Sequence, residues 1–115
     1  MQNNLTKKEI DNLYKWGKKY QIKDLDSEEK ILNIKELEIN YYSNSKKIKY
    51  LPKEFFKLTS LESFSIVDCD NIKNIGKLIN LKSLEIRSFK IKKLPKEILN
   101  LNKLKNIQIN HYFDR

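Results

Sequence analysis

His111 is the only histidine and Cys69 the only cysteine in the chain, and with Ser88 and Asp68 they are the side chains best suited to covalent chemistry. A nucleophilic triad needs the imidazole between the hydroxyl and the carboxylate. Glu38 and Glu85 offer a second possibility, paired carboxylates acting as acid and base on a glycosidic bond. A single cysteine excludes an intrachain disulfide and a cysteine zinc cluster. It reads instead as a small buried filler. The sequence carries no phosphate-binding glycine loop, dinucleotide fingerprint or metal-ligand spacing, so no cofactor and no metal are expected. Lysines remain. One cluster is Lys46, Lys47, Lys49, Lys53 and Lys57, the other Lys90, Lys92, Lys93 and Lys96, and both could hold phosphates.

Composition narrows the classes. The chain has 115 residues, 24 Lys+Arg against 15 Asp+Glu, and a net charge of +9. That length makes one domain. Fifteen Leu and fifteen Ile are too many apolar residues for a disordered basic tail. The start, Met1 to Lys8, has no apolar stretch of a secretory signal, and no apolar run is long enough to span a bilayer. A reducing cytoplasm is the expected setting. The basic residues are 22 Lys and only 2 Arg, beside 13 Asn and no Ala, the bias of an AT-rich coding sequence. Part of the charge then reflects base composition rather than chemistry.

The elements that must position these residues repeat. Four segments align in register: Ile31-x-x-Ile34-x-x-Leu37-x-Ile39, Leu58-x-x-Leu61-x-x-Phe64-x-Ile66, Leu78-x-x-Leu81-x-x-Leu84-x-Ile86 and Leu101-x-x-Leu104-x-x-Ile107-x-Ile109. Their starts lie 27, 20 and 23 residues apart. A second signature recurs 43 residues on, Ile48-Lys49-Tyr50-Leu51-Pro52-Lys53-Glu54-Phe55 and Ile91-Lys92-Lys93-Leu94-Pro95-Lys96-Glu97-Ile98. The pattern resembles the leucine-rich repeat family in its short bacterial form, over residues 31 to 112. The resemblance implies an α/β solenoid with one short parallel strand per repeat, and function as a protein- or peptide-binding module. Independently, L-x-I has the period of a strand and L-x-x-L suits a helical or 3-10 turn. One repeat cannot bury its apolar face alone, so the repeats must stack.

Several features depart from the family pattern. It usually places Asn or Cys at the third position after the strand's last apolar residue, where this chain has Tyr42, Cys69, Phe89 and Tyr112. Ser43 to Lys46 reads as a bulged loop. Residues 1–30 read as an N-terminal cap and connector, and 31–115 as the repeats. Thr6-Lys7-Lys8-Glu9 is a capping-box signature. Ile10, Leu13, Tyr14 and Gly17 follow on one helical face, with Gly17 allowing either a close approach or an early stop. Trp16 reads as cap packing. The helix is expected over the open end of the first strand, with Asp24 to Glu29 as an acidic connector. The outer edge of the fourth strand is expected to be open, inviting a homodimer, with Tyr112 and Phe113 as an alternative cover.

Alternation along each strand sends the apolar residues inward and four columns outward. They are Glu36, Ser63, Ser83, Asn106; Glu38, Ser65, Glu85, Gln108; Asn40, Val67, Arg87, Asn110; and Tyr41, Asp68, Ser88, His111. Twelve of these form the expected partner-binding face: Glu36, Glu38, Asn40, Tyr41, Ser65, Asp68, Glu85, Arg87, Ser88, Gln108, Asn110 and His111. The columns carry four carboxylates and one Arg, hence −3, leaving +12 for the rest of the chain. The strand order places Ser88, not His111, in the middle of the supposed triad, and Glu38 and Glu85 lie about 10 Å apart on a flat sheet. Catalysis is therefore not expected. The alternative to protein binding is a polyanion or nucleic acid held by Lys46, Lys47, Lys49, Lys90, Lys92, Lys93 and Lys96. Base reading would need Arg, Asn or Gln aimed from one surface, and nucleic acid is accordingly disfavoured. A small inhibitor or immunity-type protein is a further reading that size alone allows.

Overall fold

Thr6 starts the first helix, α1 (Lys7–Lys19), as the capping box predicts. Its hydroxyl accepts from the Glu9 N–H at 3.2 Å, and the Glu9 carboxylate accepts from the Thr6 N–H at 2.9 Å. Donors that a helix start leaves without partners are thus satisfied reciprocally. Glu9 also takes a hydrogen bond from the Lys57 ammonium. That bond, reinforced by the Thr6 N–H, holds the Glu9 carboxyl below the ordinary carboxylate range.

Ile10, Leu13 and Gly17 form the buried stripe of α1, whereas Tyr14 is 38% exposed rather than facing inward. Gly17 serves a close approach: a Cβ there would stand 2.8 Å from the Leu25 Cβ. Beyond it the helix ends with Ile22 N–H donating to Gly17 O at 2.7 Å and Gln21 N–H to Lys18 O at 3.2 Å. This is the Schellman arrangement, which puts Gln21 at φ 57°, a conformation glycine adopts at lowest cost.

The computed structural model describes residues 2–39, 48, 50–67, 74–88 and 96–111, with the backbone alone for Ser88, Asn110 and His111. The connector expected at Asp24 to Glu29 is in fact structured. A 3-10 turn spans Lys23–Leu25, and a second helix, α2, spans Glu28–Asn33. Ser27 is the reason. Its hydroxyl accepts from the Lys30 N–H at 3.1 Å, and Glu28 and Glu29 sit at the positive end of the helix.

The chain is a compact α/β fold around a parallel sheet of four strands in the order β1-β2-β3-β4. The strands are β1 (Glu36–Ile39), β2 (Ser63–Val67), β3 (Ser83–Ser88) and β4 (Asn106–His111). Each aligned segment supplies one strand. The 3-10 turns Lys53–Lys57, Ile75–Lys77 and Lys96–Asn100 precede β2, β3 and β4. The register sets Leu37, Phe64, Leu84 and Ile107 in one inner row and Ile39, Ile66, Ile86 and Ile109 in the next. Leu58, Leu61, Leu78 and Leu81 are fully buried beneath them. Phe55 joins cap to core, with ring centroids 5.1 Å from Phe64 and 6.0 Å from Trp16. Trp16 thus packs between Tyr20 of the cap and Phe55 of the core, and α1 rests on the Lys23–Leu25 turn, α2 and the Lys53–Lys57 turn.

Two backbone devices tie the segments together. Lys35 O accepts from Glu62 and Ser63 N–H at 2.8 and 3.0 Å, Glu62 O from Lys82 and Ser83 at 2.7 and 3.0 Å, and Lys82 O from Lys105 and Asn106 at 2.8 and 3.1 Å. The shortest linker brings the Ile75–Lys77 turn against the next one, where a Cβ on Gly76 would meet Glu97 O at 2.5 Å. A buried polar clamp holds the N-terminus. Asn3 Nδ2 donates to Ile31 O at 2.9 Å and to Ser60 Oγ at 2.8 Å, while its Oδ1 accepts from the Ser60 N–H at 2.7 Å. Ser60 Oγ donates onward to Ile34 O.

Two expectations about side-chain direction fail. Val67 is buried where the alternation turned it to solvent; its register partner is Arg87, whose stem can cover an apolar neighbour. Ile107 is on the inner row yet 43% exposed, because β4 has no strand beyond it among the described residues. Tyr42, Cys69, Phe89, Tyr112 and the Ser43–Lys46 loop lie outside the described residues. No helix among the described residues is long and apolar enough to cross a membrane.

Candidate functional site

The sheet presents its outer face through short polar side chains held at fixed spacing. Glu36, Ser63, Ser83 and Asn106 are register partners in one row, and Glu38, Ser65, Glu85 and Gln108 in the next. Glu36, Glu38, Asn106 and Gln108 are exposed, and the serines, Glu85 and Arg87 are half-buried. Period-2 alternation dictates this arrangement, since burying Leu37, Phe64 and Leu84 turns their neighbours outward.

Glu85 is the organised group on the face. Its Oε1 accepts from Ser65 Oγ at 2.9 Å across the strand pair, and its Oε2 lies 3.3 Å from an Arg87 guanidinium nitrogen. Both oxygens are therefore engaged, and the carboxylate acts as a fixed acceptor. Glu38 stands two strands away in the same row, with Ser65 between them. Ser88 and His111 are register partners on β3 and β4. Asn40, Tyr41 and Asp68 lie outside the described residues, as do Lys46, Lys47, Lys49, Lys90, Lys92 and Lys93. Lys96 is exposed at the start of the last 3-10 turn.

At its β1 end the face runs into a cleft of about 810 Å³ that the sequence did not indicate. Tyr14, Gly17, Lys18 and Gln21 of the α1 terminus, Lys23, Asp24 and Asp26 of the segment after it, and Glu38 and Ile39 of β1 line it. The walls carry both signs of charge around an exposed tyrosine. Lys30 already engages Asp26 at 2.9 Å, which leaves Asp24 and Glu38 as the carboxylates without that neighbour. The signal missed in the sequence was Tyr14, assigned to the core stripe although it lies at the stripe's edge.

A third feature sits where the strands begin. Lys35, Glu62, Lys82 and Lys105 occupy the same place in the aligned segments, immediately before or at the entry to each strand. Lys82 pairs with Glu62 at 3.3 Å, Lys103 donates to Asn80 Oδ1 at 2.6 Å, and Asn80 donates to Thr59 O at 2.6 Å. These lysines were absent from the two predicted clusters because they are spread singly over the segments. The register sets Lys35, Lys82 and Lys105 in one row, as the alignment of the segments does. Among the described residues no group of three or more His, Cys, Asp or Glu could hold a metal ion.

A scan against family models finds no match, and searches of the curated proteins and of the solved structures find none either.

Proposed function

We propose that the chain is a non-enzymatic binding module of the leucine-rich repeat type, a short solenoid engaging a protein or peptide through its sheet face. The observation that carries this reading is the register of the polar rows Glu36–Ser63–Ser83–Asn106 and Glu38–Ser65–Glu85–Gln108. Hydrogen-bonding side chains repeat there at strand spacing on one surface, which suits contact rather than bond making. The engaged state of Glu85 supports it, because a carboxylate held by Ser65 and Arg87 is preorganised as an acceptor.

Size defines what else the partner must touch. Four strands span about 14 Å, whereas a standard interface takes about 800 Å² from each partner. The cleft beside α1 shares Glu38 with the face and offers it further contact surface. Its mixed charge calls for a partner bearing both signs, a complementarity that acts mainly on rate and specificity.

Affinity capture from the native host, at low and high salt, tests the proposal. A partner held by the face survives high salt and is lost with Glu38→Arg or Arg87→Glu. Capture that is released by salt, indifferent to those changes and abolished by glutamates at Lys90, Lys92, Lys93 and Lys96 overturns it in favour of a polyanion.

A further inference from the structure

The last strand exposes what the preceding strands bury. Phe64 and Leu84 are each 1% exposed, while Ile107, next in their row, is 43% exposed. Ile66 and Ile86 are 0% and 1% exposed, and Ile109 beside them is only partly covered. Leu99 is 88% exposed although its counterpart Phe56 in the earlier Leu-Pro-Lys-Glu segment is 7% exposed. β4 has β3 as its single neighbour among the described strands, so its outer row of N–H and C=O groups is presented to one side.

Natural edge strands usually carry a lysine, a proline or a bulge that blocks further pairing. This one carries none of them between Asn106 and Asn110. Its sequence there, Asn106-Ile107-Gln108-Ile109-Asn110, reads the same in both directions. Antiparallel pairing of two copies about Gln108 therefore places Asn106 opposite Asn110 of the second copy, Ile107 opposite Ile109, and Gln108 opposite itself. Every opposed pair is then of one residue type. Amide side chains are both donors and acceptors and so are complementary to themselves. The isoleucines meet on the inner face, where each copy's core is open. No like charges are opposed within this stretch.

We propose that β4 pairs antiparallel with β4 of a second copy across a two-fold axis at Gln108, joining two four-stranded sheets into one of eight strands. Such an interface is isologous and closes on itself, which limits the assembly to a dimer. It goes beyond the binding role argued above and does not depend on it. Each copy carries +9, so long-range repulsion opposes association and added salt strengthens it. That is the reverse of a polyanion complex.

The test is sedimentation velocity of the full chain at low and high salt, with Gln108→Lys and Gln108→Glu. The wild type is expected to dimerise, and more tightly in high salt. Two like charges brought to about 5 Å at the axis weaken the dimer by about 100-fold or more, so each variant alone runs as a folded monomer by circular dichroism. An equimolar mixture of the two restores a dimer, because Lys then faces Glu. A wild type that is monomeric at high concentration and high salt overturns the proposal. So does a dimer that survives Gln108→Lys unweakened, or a mixture of the two variants that stays monomeric.

Discussion

Replacing Asn3 by alanine should remove about 3 kcal/mol of stability, although the residue lies far in sequence from everything it holds. Asn3 is 5% exposed, and its side chain makes three hydrogen bonds, to Ile31 O at 2.9 Å, Ser60 Oγ at 2.8 Å and the Ser60 N–H at 2.7 Å. A typical hydrogen bond contributes about 1 kcal/mol net, and a buried donor left without a partner costs about 1–3 kcal/mol. Alanine strands the Ser60 N–H. It leaves the Asn3 N–H to Leu32 O bond at 2.8 Å in place, so the segment keeps its path and loses its anchor. For a domain of this size the loss corresponds to a fall in Tm of about 12 °C. Urea unfolding followed by far-ultraviolet circular dichroism measures the free energy, and a thermal melt checks it. Ser60→Ala should cost about 2 kcal/mol through the Asn3 and Ile34 carbonyl bonds it breaks. Because the two residues share bonds, the double variant should fall short of the sum by about 1 kcal/mol or more. A loss below about 0.5 kcal/mol for Asn3→Ala would refute the reasoning, since the clamp would then be compensated by water.

Two further outcomes follow from the same structure. Gly76→Ala places a Cβ 2.5 Å from the Glu97 carbonyl oxygen, a backbone atom that cannot swing away, and should destabilise by about 2 kcal/mol in the same unfolding assay. Glu9 has its carboxyl lowered in the folded chain, chiefly by the Lys57 ammonium and then by the Thr6 N–H. Its stabilising contribution is therefore present above the ordinary carboxylate range and is lost as pH falls through the depressed folded value. Stability measured against pH should lose that acid-side step in Glu9→Gln, and an unchanged profile would contradict the assignment.

The rows of the sheet were legible because a strand has a strict period. Once Leu37, Phe64 and Leu84 are assigned inward, their neighbours along each strand face outward, and the observed register opposes the same residues that the alignment does; Val67 at the end of β2 is the exception. The start of α1 was legible for a local reason: Thr6 and Glu9 satisfy each other's backbone within one turn. α2 was not. Six residues are too few to show a helical period, and only the Ser27 cap marks its start. The cleft beside α1 was missed because Tyr14 sits at the margin of the apolar stripe, where a small rotation of the helix decides between core and solvent.

Residue spacing is enough to read which residues alternate, where the first helix begins, and that four similar segments each hold a strand. Those properties follow from spacing, and spacing is local. Long-range packing brings Asn3 and Ser60, 57 positions apart, into one buried network. It also leaves Ile107 open while its row partners are sealed. Burial depends on what packs next to a side chain, not on its type. An isoleucine at the edge of the sheet and one at its centre therefore read alike until the fold places a neighbour beside one and none beside the other.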